Sequence, residues 1–181
     1  MITLTKRRIG ILLSIIILLL IPLIAMQFTD EVNWDISDFA IMAFVLTGIA
    51  LAYEIIAVKS GKTVYKIALG IALLGVFLLF WVNGAVGIIG NEDQPANMLF
   101  GAVFIVGLTG SLISRFKPLG MSNTLYISAL VQMIVPASAY FIWPPPETSW
   151  SPSVFGVFFL SSFFAILFII SAMLFRQASK N

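Results

Sequence analysis

The chain has 181 residues, of which 60% are hydrophobic and 10% charged, and its net charge is +2. Soluble domains carry about 25% charged residues and about 45–50% apolar ones, so a water-soluble fold of this length is excluded and a bilayer is the solvent that suits the composition. With no cysteine and no histidine, disulfides, thiolate or imidazole metal sites, His- or Cys-ligated haem and a Ser-His-Asp triad are excluded as well.

Six apolar stretches follow in chain order, over about residues 9–26, 39–58, 67–90, 98–114, 121–143 and 154–175. Each approaches the roughly 20 residues that a helix needs to cross roughly 30 Å of hydrocarbon. Barrel strands would alternate polar and apolar residues, whereas these runs are apolar all round. The expected fold is all-α, an integral membrane helical bundle of six transmembrane helices forming a single domain over 1–181. The first stretch follows Lys6, Arg7 and Arg8 as a signal peptide would. It is longer than a signal core and lacks a small-residue cleavage site, so an uncleaved first helix is expected.

Charge patterning orients the spans. With both termini in the cytoplasm, all ten Lys and Arg residues (Lys6, Arg7, Arg8, Lys59, Lys62, Lys66, Arg115, Lys117, Arg176, Lys180) lie inside. Seven of the eight acids (Asp30, Glu31, Asp35, Asp38, Glu92, Asp93, Glu147) lie outside. Every loop then obeys the positive-inside rule, and one span more or fewer would break it. Trp34, Trp143 and Trp150 are expected at the outer headgroup level, and Tyr53 and Tyr65 at the inner one. Trp81 falls within the third span. Pro144, Pro145, Pro146 and Pro152 predict a stiff, extended last outer loop.

Polar groups within the spans need a reason. The eighth acid, Glu54, lies near the inner end of span two; a structural ion pair at the rim and a proton or cation ligand are both open readings. Asn83 and Gln132 are placed near the middle of spans three and five. There they could bond each other or Thr47 as interhelical glue, or contact a transported solute. Gly84, Gly87 and Gly90, with Gly107 and Gly110, predict close packing of span three on span four. Pro136 predicts a kink in span five that frees a carbonyl near Gln132. In span six, Ser161, Ala165 and Ala172 suggest a packing face, with Phe159, Phe163 and Phe164 towards lipid. The outer loop 91–97 holds Asn91, Glu92, Asp93 and Asn97, hard oxygen donors of the kind Ca²⁺ or Mg²⁺ accepts. It lacks EF-hand spacing, which leaves capping by Asn91 and Asn97 as the other reading. Asp30 and Glu31 could reach the same place.

Catalytic signatures are missing from the sequence. An intramembrane serine protease needs histidine, an aspartyl protease needs two membrane acids, and no Walker loop, dinucleotide fingerprint or zinc motif occurs.

The segment Trp81-Val-Asn-Gly-Ala-Val-Gly-Ile-Ile-Gly-Asn-Glu-Asp-Gln-Pro-Ala-Asn97 resembles an uncharacterised family of small bacterial polytopic inner-membrane proteins. Residues 25–34 (Ala-Met-Gln-Phe-Thr-Asp-Glu-Val-Asn-Trp), Leu51-Ala-Tyr-Glu54 and Ser171-Ala-Met-Leu-Phe-Arg176 extend the resemblance over nearly the whole chain. It implies a bacterial plasma (inner) membrane and brings no activity or ligand. The expected function is that of a non-enzymatic accessory or structural component of that membrane or of a membrane complex, with no cofactor. Expected partners are the lipid bilayer and complex subunits or further copies of the chain, not nucleic acid. Two alternatives are a small proton- or cation-coupled transporter using Glu54, Asn83 and Gln132, and an outer-face divalent-cation sensor at Glu92 and Asp93.

Overall fold

A backbone in hydrocarbon must satisfy its own N–H and C=O groups, and a helix does this within one segment. A computed structural model describes residues 2–29, 32–58 and 60–180, with side chains from Arg8 onward. Asp30, Glu31, Lys59 and the side chains of Lys6 and Arg7 lie outside the described residues. Among the described residues all regular structure is helical: α1 (Ile2–Ala25), α2 (Ile36–Ala57), α3 (Thr63–Ala85), a 3-10 helix (Pro95–Phe100) running into α4 (Gly101–Ile113), α5 (Pro118–Ile142) and α6 (Val154–Lys180). Six of these are long and apolar enough to cross a membrane, the fourth being the composite Pro95–Ile113.

Local chemistry sets the starts. Asp35 Oδ1 accepts from the N–H groups of Ser37 (2.7 Å) and Asp38 (3.0 Å), while Asp38 Oδ2 accepts from Asp35 N–H at 2.9 Å. This reciprocal pair is a capping box at the head of α2. Hydrogen bonding, first to the Ser37 hydroxyl and then to the Asp38 amide, holds the Asp35 carboxyl below the usual range. Pro118 opens α5, where its fixed φ suits the first turn. Ser153 Oγ accepts from Gly156 N–H at 3.0 Å at the head of α6.

The chain forms two compact units, residues 1–55 and 56–181. In the first, α1 and α2 are sparsely covered: of the described α1 side chains only Pro22 is buried. In the second, α6 is the hub, packing on α5 and α3, and α5 also packs on α4. The α3–α6 contact is antiparallel. Tyr65 meets Phe175 edge to face at 4.9 Å, Ser171 Oγ donates to Ala68 O at 2.6 Å, and the Phe168 ring stands 3.1 Å from where a Gly75 Cβ would be. Gly75 is therefore the hole into which Phe168 fits.

Several expectations change. α3 ends at Ala85, not Gly90, because Gly87 (φ +71) and Gly90 (φ +73) turn the chain in the left-handed region. Those two glycines shape a loop and Gly84 faces open space, so they form no packing stripe. The close glycine approach lies between α4 and α5: a Cβ on Gly110 would stand 2.6 Å from Thr124 Oγ1 and Cγ2. Phe159 and Phe163 are exposed as expected, but Phe164 is buried beside Ala165 in the core. The last loop is a compact turn closed by Thr148 N–H to Pro144 O at 3.2 Å, not an extended crossing. Trp150 is buried against its neighbours; its indole N–H donates to Trp143 O at 2.8 Å and its ring meets Tyr140 edge to face.

Candidate functional site

The loop after α3 is organised by one amide. Asn97 is buried, and its Oδ1 accepts from Ile88 N–H (3.0 Å) and Ile89 N–H (2.9 Å). Its Nδ2 donates to Ile89 O (3.1 Å) and Asn91 O (2.7 Å). Asn83 Nδ2 donates to the Asn97 backbone carbonyl at 3.2 Å, tying the loop to the end of α3. Both acceptor and donor capacity of the Asn97 side chain are filled, and the residue sits within the 3-10 helix. It is thus neither the expected cap of α4 nor an oxygen left for a cation. Glycine is required at Gly87, where a Cβ would overlap Asn91 O, and at Gly90, where it would stand 2.7 Å from Ser149 O. That second approach sets the loop against the turn that carries Glu147. Glu92 and Asp93 are exposed on its surface with Asn91. Among the described residues no three potential ligating side chains of the His, Cys, Asp or Glu kind gather. Asp30 and Glu31, named above as further donors, lie outside the described residues.

Deeper in the second unit the polar groups are arranged differently. Gln132, in the middle of α5, is fully buried, and among the described residues neither its Oε1 nor its Nε2 has a hydrogen-bond partner. Because α5 runs through Pro136, the Gln132 backbone carbonyl also lacks its usual helical donor four residues on. Ser128, one turn earlier and so on the same stripe of α5, is buried with an unpartnered hydroxyl. It faces α4 at Gly107, 3.7 Å from where a Cβ would be. Ser161 of α6 carries a third buried, unpartnered oxygen. Each such group costs about 1–3 kcal/mol in an apolar interior. Together they offer hydrogen bonding in both directions without charge.

Asn83 and Gln132 form no hydrogen bond with each other. Asn83 lies two residues from the end of α3, bonded to Asn97, and pairs with neither Gln132 nor Thr47. Glu54 is half-buried, one turn before the end of α2, and belongs to the first unit, whereas Asn83 and Gln132 belong to the second.

Sequence reasoning missed the polar ties at the opposite end. Tyr65 Oη donates to Phe116 O at 2.7 Å, and Lys62 Nζ donates to Ala178 O at 2.9 Å. Tyr65 is buried. These bonds bring the start of α3, the α4–α5 turn and the end of α6 together. Within the second unit, Lys62, Lys66, Arg115, Lys117, Arg176 and Lys180 therefore share one end, with Glu92, Asp93 and Glu147 at the other. The lysine-rich start of α3 was the available signal, but its acceptor, a helix-terminal carbonyl, is invisible in a pattern of side chains. Comparison with protein-family models, curated proteins and solved structures gives no match.

Proposed function

We propose that the protein is a non-enzymatic accessory or structural component of the bacterial inner membrane, or of a membrane complex, with both termini cytoplasmic. The observation that carries this reading is the groove between α1 and α2. It measures about 480 Å³ and is lined by Gly10, Ser14 and Ala50 between Ile11, Ile15 and Leu46. Gly10 and Ser14 stand one turn apart, and a Cβ on Gly10 would meet nothing within 4 Å. Small residues so spaced let another helix backbone come close, and in lipid that close packing drives association. The occupant is a helix of a second copy or of a complex subunit. Mass measurement in mild detergent tests it. A stable oligomer or stoichiometric complex that Gly10→Ile with Ser14→Leu dissociates is expected; a lone monomer would count decisively against the role.

A second reading, a small transporter, is favoured by one feature: the buried, unpartnered amide of Gln132 beside the Ser128 hydroxyl. Asn83 is engaged elsewhere, so in this reading Gln132 carries the pathway, with Glu54 as the proton or cation site of the first unit. Liposomes holding the protein would then show proton or cation flux that Gln132→Leu and Glu54→Gln each reduce. Flux equal in wild type and both variants would remove this reading.

A further inference from the structure

The turn between α4 and α5 borders an open cleft of about 580 Å³ lined by Ile113, Ser114, Arg115, Lys117, Leu119 and Asn123. We propose that it holds the phosphate of an anionic phospholipid, with the acyl chains lying along the neighbouring spans.

Charge complementarity is the first ground. The lining carries two cations, one hydroxyl and one amide, and no carboxylate. The Ser114 hydroxyl donates to Ser111 O at 3.0 Å, so the side-chain donors left are arginine, lysine and the Asn123 amide, a combination that binds phosphate oxygens. The turn that presents them is also built rather than loose. Arg115 (φ 51) and Phe116 (φ 59) both adopt the left-handed conformation, which is unfavourable for side chains of their size. Four bonds hold them there: Arg115 N–H to Leu112 O (2.9 Å), Phe116 N–H to Ser111 O (3.1 Å), Lys117 N–H to Ser114 O (3.0 Å) and Tyr65 Oη to Phe116 O (2.7 Å). A Cβ on Gly120 would overlap Ser114, so the first turn of α5 presses directly on the end of α4 to form the floor. No side chain caps that first turn, which leaves backbone N–H donors of Leu119 and Gly120 for an anion.

The rim decides between a lipid phosphate and a free one. Ile113 is 83% exposed and Leu119 54% exposed, flanking the cations on two spans. A soluble anion gains nothing from such walls, whereas a phospholipid places its headgroup on Arg115 and Lys117 and its hydrocarbon against Ile113 and Leu119. This inference does not depend on the accessory role, since it concerns the second unit and that role is argued from the first.

Native mass spectrometry of the full chain from detergent, after addition of phosphatidylglycerol, phosphatidylcholine or inorganic phosphate, tests the proposal. The wild type is expected to retain phosphatidylglycerol in preference to phosphatidylcholine. R115Q/K117Q is expected to lower retention on the order of tenfold. The control K66Q/K180Q removes equal charge outside the cleft and is expected to change it by less than about twofold. All four side chains lie at the surface or its edge, so both doubles should melt as the wild type does. Equal losses in the two doubles, no preference over phosphatidylcholine, or displacement of the lipid by millimolar inorganic phosphate would each overturn the assignment.

Discussion

Asn97 shows how much structure one amide can organise where water is scarce. Its four side-chain bonds hold residues 88–91, and each is worth about 0.5–1.5 kcal/mol net, while a stranded buried N–H costs about 1–3. Asn97→Ala should therefore lower stability by about 2–5 kcal/mol, read as a fall in melting temperature in detergent. Asn97→Asp, which loses both donors, should also fall; a melting curve unmoved by both would refute the clasp. At the head of α2 the reasoning turns on pH. The Asp35 carboxyl is held below its usual range by the Ser37 hydroxyl and the Asp38 amide. A lowered folded value means that the cap stabilises fully above the ordinary carboxylate range. That contribution is lost as pH falls through the lower, folded value. Protection of the Ser37 and Asp38 amides, taken relative to their intrinsic exchange rates, should hold above the ordinary carboxylate range and fall once the pH drops below it far enough to protonate Asp35. Exchange rates that follow only the intrinsic pH dependence would argue against it. The sequence offered Asp35 and Asp38 only as outer charges; their spacing of three was the overlooked capping signal.

At the scale of helices, packing in lipid comes from shape and hydrogen bonds, since lipid tails are as apolar as leucine. The α4–α5 seam depends on Gly110 lying under Thr124. Threonine in a helix has few rotamers with which to yield, so Gly110→Val should cost about 1–3 kcal/mol. Combining it with Thr124→Ala should recover most of the loss, because the second change vacates the occupied space. Additive damage in the double variant, measured by thermal melting, would contradict this seam. Glycine spacing in spans three and four was legible beforehand, but its partner was not. Gly87 and Gly90 have the same spacing as Gly107 and Gly110, yet the first pair bends a loop and the second seats a helix. The difference lies in backbone conformation and in Thr124, neither of which glycine spacing encodes.

For the whole molecule the central quantity is the separation of charge. The second unit gathers its cations at one end and its acids at the other, and the Tyr65–Phe116 and Lys62–Ala178 bonds show that the cationic segments meet. The native chain has no cysteine, so single introduced thiols report sidedness without background. Asp93→Cys and Glu147→Cys should react together with an impermeant maleimide on intact cells. Lys117→Cys and Ser179→Cys should react only after permeabilisation. Matching access at positions 93 and 117 would rule out the arrangement.

Composition and charge order were enough to read an all-helical chain with six membrane-length spans, because span length and side-chain polarity accumulate along the chain and need no partner. Tertiary structure decided which groups meet: Asn97 with the loop amides, Phe168 with Gly75, Trp150 with Trp143, and Gln132 with no partner. These outcomes depend on segments distant in sequence and on close fit in three dimensions, and an apolar run that is hydrophobic on every side gives no hint of which face will turn inward.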